Sequence, residues 1–154
     1  VFSSHNGTLP PGESLLTHAG SHPRAKYVAH VAIMDFRPGV PSGTARPDDA
    51  RLRRCYQSLW PCLEEASGTD LSVALPALGA GTGSMGVRMP TELACSSLKA
   101  HLASGKAKPG KLGKIVFYGY MLHELLNISE VVVAAFNLKP EDIPEDVRPH
   151  IRFS

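Results

Sequence analysis

The chain has 154 residues, of which 43% are hydrophobic and 19% are charged. A chain of this length forms one ordinary domain with a sizeable core, and this composition excludes an intrinsically disordered protein. No apolar run approaches the ~20 residues of a membrane-spanning helix, and the net charge is only +2. We therefore expect a globular domain, and we expect neither a membrane nor nucleic acid as its partner.

The cysteines and histidines give no pattern of a disulfide framework or a metal site. The chain has an odd number of cysteines, namely Cys55, Cys62 and Cys95, which does not fit a disulfide framework. The seven histidines show no paired spacing of the kind that metal ligands have. No signal peptide is visible at the start, where Val1 stands in place of a methionine. Reduced thiols predict a cytoplasmic or nuclear protein, and we expect no cofactor and no metal.

Two apolar runs predict the first strands, at residues 13–17 and 26–34. The second run is apolar nearly throughout, which favours a strand buried on both faces. His30 lies within that run, so we expect a hydrogen-bonded histidine in the core. Residues 36–47 are rich in Gly, Pro and Ser and predict a loop. Asp35 precedes this loop and is predicted to be a turn-forming acid rather than a general base.

The middle of the chain predicts a helix, a strand and a second helix. Asp48 is a candidate N-cap for a helix over residues 48–64, whose apolar positions recur at helical spacing. Pro61 is expected to kink or shorten that helix. A buried strand is predicted at residues 71–76, and Pro90 suits the first turn of a helix over residues 90–103.

The last third of the chain predicts a strand at residues 114–120, a short helical turn at 121–126 and a further strand at 130–136. Alternating strands and helices indicate an α/β layered fold with a mixed or parallel sheet. We expect a domain over residues 1–136 and a proline-containing surface tail over 137–154. Five lysines between residues 99 and 114 are interpreted mainly as part of a solvated loop, with a functional basic patch as the alternative.

A glycine-rich loop between the predicted strand 71–76 and the next helix is the most informative feature. Such a loop lets backbone N–H groups surround a phosphate, and the helix start adds partial positive charge. The loop does not match a nucleotide-kinase loop, because no Gly-Lys-Ser/Thr follows, and a lone GxGxxG match is weak support for a dinucleotide site. The alternative is a turn that only lets the helix pack closely on the strand.

The sequence resembles macro domains over roughly residues 7–120. The matching features are Pro10-Pro11-Gly12, Thr17, the strand Tyr27-Val28-Ala29-His30-Val31 and, most specifically, the segment Pro76-Ala77-Leu78-Gly79-Ala80-Gly81. The resemblance implies a three-layer α/β/α fold with a mixed central sheet. It also implies binding of ADP-ribose or an ADP-ribosylated protein, and several family members hydrolyse ADP-ribosyl linkages.

The resemblance assigns ligand-binding roles to the loop and to one aromatic residue. Tyr120, with Phe117 and Tyr118 behind it, is the candidate to pack on the nucleoside, and core packing of these aromatics is the alternative. The complete set of candidate ligand-binding residues is Gly79, Ala80, Gly81, Thr82, Gly83, Ser84, Met85, Gly86 and Tyr120.

The sequence departs from the family by lacking its N-terminal strands, with their acidic residue, asparagine-bearing strand end and first glycine-rich loop. We expect either that about fifty further residues precede this sequence or that the site is incomplete, and the start without methionine favours the first. Catalytic residues cannot be assigned from the sequence. Two functions remain open: ADP-ribose binding, with possible hydrolysis in a complete domain, and a scaffold module without a working site.

Overall fold

The computed structural model describes residues 7–143, 145 and 148–151. Within these residues, four strands and four α-helices follow one another. In order, they are β1 (Ser14–His18), β2 (Tyr27–Val31), α1 (Ser42–Ala45), α2 (Asp49–Leu63), β3 (Leu71–Pro76), α3 (Arg88–Ala103), β4 (Leu112–Tyr118) and α4 (Leu122–Phe136).

The predicted bounds of β3 are confirmed, and those of α2 differ by one residue at each end. Asp48 is the N-cap of α2, because its Oδ1 accepts a hydrogen bond from the Arg51 backbone N–H at 2.7 Å. Pro61 lies in the last turn of α2, which ends at Leu63. Helix α3 begins two residues before its predicted start, at Arg88.

The strands form two pairs. β1 and β2 are antiparallel, with Leu16 opposite Ala29, whereas β3 and β4 are parallel, with Pro76 opposite Tyr118. The α/β fold predicted from the sequence is confirmed. Within the described residues its sheet is divided into these two pairs, with no backbone pairing between β2 and β3.

The core lies between the strands and helices α2 and α3. Trp60 and Tyr56 are fully buried and stacked, with ring centroids 6.3 Å apart, and the Trp60 Nε1 donates to Ser97 Oγ at 3.1 Å. The strands contribute one face to this core, since Val31 and Leu75 pack there. The remaining members of the buried cluster are Leu52, Cys55, Leu59, Leu93, Ala94 and Leu98.

The expectation that the strands are buried on both faces is wrong for β2 and β3. Alternate side chains are exposed, including Val28 and His30 on β2 and Ala74 on β3. The core helices α2 and α3 pack on one side of the strands, so every second side chain points away from them.

The predicted helical turn at 121–126 is the beginning of a longer helix, α4, and the predicted strand at 130–136 is wrong because it is the rest of the same helix. The run Val131-Val132-Val133 favours a strand locally. In the structure Val131 is buried together with Ile128, three residues earlier on the same face of α4, and α4 packs against α3. Tertiary packing therefore overrides the local β-propensity.

The segment predicted as a surface tail, 137–154, is described only in part. It contains 3-10 turns at Pro140–Asp142 and Arg148–His150. Ile143 and Ile151 are buried beside Val133 of α4. The segment is thus attached to α4 through apolar contacts, and the division at residue 136 stays a prediction.

Candidate functional site

The carboxyl ends of β3 and β4 lie side by side. Because the strands are parallel and Pro76 pairs with Tyr118, the chain leaves both strands at the same edge of the sheet. The segment after β3 contains the glycine loop, defined here as residues 79–86, and Tyr120 follows β4. Clefts at the carboxyl ends of parallel strands are the usual ligand-binding positions in α/β folds, so this edge is the candidate site.

The glycine loop has a fixed backbone conformation. Gly79, Ser84 and Gly86 have positive φ angles of 85°, 58° and 64°. Internal hydrogen bonds run from the Ser84 N–H to the Gly81 carbonyl, at 2.8 Å, and from the Met85 N–H to the Gly79 carbonyl, at 3.2 Å. The two hydrogen bonds and the three left-handed residues together hold the loop in this conformation.

Two glycines of the loop have different structural roles. A Cβ at Gly83 would collide with the Gly79 backbone, including its Cα at 2.9 Å, so close backbone approach requires glycine there. Gly81 has no positive φ, and a Cβ there would meet nothing within 4 Å. A side chain added at Gly81 would therefore occupy open space without distorting the loop.

The loop is attached to the core through Tyr56. The Tyr56 hydroxyl accepts a hydrogen bond from the Leu78 N–H at 3.2 Å, and burial raises the pKa of this phenol well above its usual value. The Met85 side chain packs on the same core. Sequence reasoning missed Tyr56 as a support of the site, because no local pattern links it to a partner 22 residues away.

The backbone amides at the tip of the loop are available to a ligand. Among the described residues, none accepts a hydrogen bond from the N–H of Gly81, Thr82 or Gly83. Gly81 and Thr82 are exposed. Unpaired backbone N–H groups are hydrogen-bond donors, and three of them in succession suit an anion.

The three candidate aromatics occupy different environments. Tyr120 is 94% exposed beside the loop edge, Tyr118 is 57% exposed, and Phe117 packs against the core. Backbone hydrogen bonds hold the position of Tyr120, since the Glu124 Oε2 accepts from the N–H groups of Tyr120 at 2.7 Å and Met121 at 3.0 Å. These bonds also lower the pKa of Glu124. Tyr120 is thus free to contact a ligand, whereas Phe117 is a core residue.

Asp35 is not available as a general base. It is 6% exposed, and its two carboxylate oxygens accept hydrogen bonds from Arg37 Nε at 2.8 Å and Nη2 at 2.7 Å. The guanidinium holds the pKa of this carboxyl at about 2, below its usual 3.8. A carboxylate that is stabilised this strongly in its charged form is a poor proton acceptor.

The expectation of a core position for His30 is wrong, because its side chain is on the exposed face of β2. The expected hydrogen bond is present, since His30 Nε2 lies 2.9 Å from Thr17 Oγ1 on the neighbouring strand. The pair is diagonal across the two strands and fixes the orientation of the ring.

Most of the lysines between residues 99 and 114 bind backbone carbonyl groups. The Nζ atoms of Lys99, Lys108 and Lys111 donate to the carbonyls of Ala135, Glu64 and Gly68 at 2.8, 3.3 and 2.7 Å. Lys99 thus connects α3 to α4, and Lys108 and Lys111 connect the loop before β4 to the segment that follows α2. These bonds favour a structural role over a basic binding patch.

The part of the chain that the structure describes contains no group of three or more candidate metal ligands. Its three cysteines are buried and unbonded, and burial raises the pKa of Cys62 and of Cys95 to about 11. None of the helices in the described ranges is both long enough and apolar enough to cross a membrane.

The family model of the macro domain matches residues 2–94, which is more than half of the chain and includes the whole glycine loop. This chain belongs to the macro domain family. Macrodomains from Oceanobacillus iheyensis have the same fold: the structures with MES and with ADP match with TM-scores of 0.63 at 15% and 16% sequence identity. A mutant of that macrodomain also matches, with a TM-score of 0.63.

The alignments with these macrodomains cover 88% of this chain but only 65–66% of theirs. The chain therefore spans slightly less than two thirds of the length of these macrodomains. A comparison with curated protein sequences gave no match.

Proposed function

We propose that this macro domain binds ADP-ribose, or a related nucleoside diphosphate, with the diphosphate on the glycine loop. The observation that carries the proposal is the set of unpaired N–H groups at Gly81, Thr82 and Gly83, placed at the carboxyl edge of β3. The macrodomain of the same fold that was solved with ADP supports a nucleoside diphosphate as the ligand class.

Backbone amides would supply the main contacts to the phosphates. The nearby guanidinium of Arg88 already lies 3.3 Å from both Glu92 and Glu130, so its charge is partly compensated. The beginning of α3 follows the loop directly, and its partial positive charge favours an anion at this position. A neutral donor surface of this kind binds a diphosphate without a P-loop lysine.

Tyr120 would contact the nucleoside part of the ligand. Its ring is almost fully exposed at the end of β4, next to the edge from which the glycine loop starts. An aromatic ring in this position can stack on a purine base. The loop and Tyr120 would then bind the two ends of an ADP unit.

A substitution at Gly81 tests the proposal. Gly81→Glu adds a carboxylate in open space on a residue whose own N–H is unpaired, and this negative charge would repel a diphosphate bound to the loop amides. We expect calorimetric affinity for ADP-ribose to fall at least tenfold, or about 1.4 kcal/mol. Ala100→Glu adds the same charge on the exposed surface of α3, twelve residues from its start, and should bind like the wild type.

Equal affinity of Gly81→Glu and the wild type would reject this placement of the ligand. Absence of binding by a correctly folded wild-type chain would favour the second candidate function, a scaffold module that keeps the fold without a working site. The support for that alternative is that this chain aligns with only about two thirds of each solved macrodomain, so that about a third of each has no counterpart in it.

We further propose that these 154 residues release ADP-ribose from modified protein slowly or not at all. Hydrolysis needs a water held against the anomeric carbon and a group that activates it. Both carboxylate oxygens of Asp35 bind Arg37, and among the described residues no carboxylate or histidine side chain forms a hydrogen bond with the glycine loop. Rapid release of free ADP-ribose from a mono-ADP-ribosylated protein would contradict this proposal.

The compartment remains a proposal as well. Three buried, unbonded cysteines are compatible with a reducing environment, which suits a cytoplasmic or nuclear protein. Localisation of the tagged protein in cells would test it.

A further inference from the structure

The loop that follows β2 borders the candidate site. It covers residues 36–47 and is called here the arginine loop. Its last residue, Pro47, is buried, and the Pro47 Cγ lies 3.6 Å from the position that a Cβ on Gly79 would occupy. Gly79 is the first residue of the glycine loop. The arginine loop is therefore a direct neighbour of the backbone on which we place the diphosphate.

One guanidinium holds the arginine loop to helix α2. Arg51 Nη1 donates to the carbonyls of Ala45, at 3.1 Å, and Arg46, at 3.2 Å. Its Nη2 donates to the carbonyl of Thr44 at 3.1 Å. The N–H of Asp35, just before the loop, donates to the Ala45 carbonyl at 2.9 Å. A loop that is fixed in this way presents its exposed side chains to a partner at a low cost in conformational entropy.

Two arginines and one aromatic ring of this loop are exposed. Arg37 is paired with Asp35, whereas no described residue forms a hydrogen bond or an ion pair with the guanidinium of Arg46. The ring of Phe36 is 76% exposed. The arginine loop thus presents one cation without an acidic partner in the described part of the chain, one residue away from the contact with Gly79.

The order of the loops along the sheet edge determines which part of a ligand faces the arginine loop. This step rests on the proposed function, in which Tyr120 contacts the nucleoside and the glycine loop binds the diphosphate. Tyr120 follows β4, which pairs with β3, whereas the arginine loop follows β2, which pairs with β1 under helix α2. ADP-ribose continues beyond its diphosphate to a second ribose, whose anomeric carbon carries the polypeptide in a modified protein. That polypeptide would therefore lie at the arginine loop.

We propose that the arginine loop binds the polypeptide part of an ADP-ribosylated protein, at a segment in which carboxylate side chains flank the modified residue. Arg46 would bind one of these carboxylates through two parallel N–H groups, because a planar guanidinium matches the geometry of a carboxylate. The exposed ring of Phe36 would cover an apolar side chain of the same segment.

The charges around the arginine loop favour a polypeptide over a polyanion. Residues 35–54 contain five arginines and three aspartates, and two of these aspartates, Asp48 and Asp49, directly follow Pro47. A chain of phosphates passing Arg46 would be repelled by these carboxylates. A polypeptide with single carboxylates can bind Arg46 and avoid them, so charge complementarity selects an acidic peptide segment.

Calorimetry on the 154-residue chain with three probes tests this proposal. The probes are free ADP-ribose, a peptide that is mono-ADP-ribosylated on a serine between glutamates, and the same modified peptide with glutamines in place of the glutamates. We expect the glutamate peptide to bind at least about fivefold more tightly than the glutamine peptide at low salt. The difference should disappear at high salt, where exposed charges are screened.

Arg46→Gln should make the two modified peptides bind equally and leave the affinity for free ADP-ribose unchanged, since its side chain contacts only the polypeptide. Arg24→Gln is the matched control, because it removes the same charge from an exposed residue of the turn between β1 and β2, at the other end of β2. This control should keep the preference for the glutamate peptide. Phe36→Ser should weaken both modified peptides by about threefold and leave free ADP-ribose unaffected.

Equal affinity of the wild type for the two modified peptides would overturn the proposal, and this comparison needs no variant to fold. Loss of the preference in Arg24→Gln as well would show a general effect of net charge and would also overturn it. Tighter binding of an ADP-ribose oligomer than of the glutamate peptide would assign the loop to a polyanion instead. Failure of the proposed function gives a different result, because free ADP-ribose would then not bind to the folded chain.

Discussion

The interface of α2 and α3 and the carboxyl edge of β3 and β4 differ in the exposure of their aromatic residues. Trp60 and Tyr56 are fully buried in the first region, whereas Tyr118 and Tyr120 are 57% and 94% exposed in the second. Residues that stabilise the fold are thus separated from residues that are free to meet a ligand. The Tyr56–Leu78 hydrogen bond connects the two regions.

The largest expected difference between the regions is in global stability. Trp60→Ala removes a fully buried ring and its hydrogen bond to Ser97, and should lower the free energy of unfolding by about 3–5 kcal/mol. Tyr120→Ala removes an exposed ring and should change it by less than about 0.5 kcal/mol. Urea denaturation of both variants measures the two free energies of unfolding. A similar decrease in both variants would contradict the separation of stabilising residues from ligand-accessible residues.

Tyr120 should contribute to ligand affinity although it contributes little to stability. Tyr120→Ala should weaken ADP-ribose binding about tenfold, which corresponds to about 1.4 kcal/mol, because the base loses its stacking partner. Tyr118→Ala is the matched control on the preceding strand. If isothermal calorimetry gives the two variants the same affinity for ADP-ribose, Tyr120 is not a binding residue.

The connection between the regions can be broken by Tyr56→Phe. The change removes the hydroxyl that accepts from the Leu78 N–H, leaving that donor without its partner. We expect a loss of about 1–2 kcal/mol in unfolding free energy and weaker binding of ADP-ribose, since the loop loses its support. Tyr118→Phe, at an exposed tyrosine, should change neither quantity.

The Asp35–Arg37 pair should contribute to stability in an acid-dependent way. The pKa of Asp35 is about 2 in the folded protein, against 3.8 for the free side chain. Its contribution is therefore complete above about pH 4 and is lost as the pH falls towards 2. In urea titrations, the difference in unfolding free energy between the wild type and Asp35→Asn should decrease as the pH falls from about 4 to about 2. A difference that stays constant over this pH range would contradict the prediction.

The smallest effects are expected in the lysine-rich loop. Lys111→Met removes the bond to the Gly68 carbonyl and should lower stability by up to about 1 kcal/mol. The Nζ of Lys106 bonds to no described residue, so Lys106→Met should have no measurable effect on thermal unfolding. A loss of ADP-ribose affinity in either variant would favour the alternative interpretation, in which these lysines form a basic binding patch.

Local sequence signals predicted the elements whose patterns agree with their surroundings. The bounds of β3, the helical spacing of α2 and its N-cap at Asp48 are confirmed, since an apolar stripe and a capping side chain act within a few residues. The run at 131–133 predicted a strand because valines favour strands in isolation. Its burial against α3 in a helix could not be deduced from the run itself.

The sequence by itself determined the α/β class, the macro-domain resemblance and the position of the glycine loop, because these depend on residue types at short spacing. Only the tertiary structure decided which groups of the candidate site are available. It packed Phe117 against the core while exposing Tyr120, and it connected Leu78 to Tyr56 across 22 residues. The physical reason is that exposure, hydrogen-bond partners and pKa depend on contacts between residues distant in sequence.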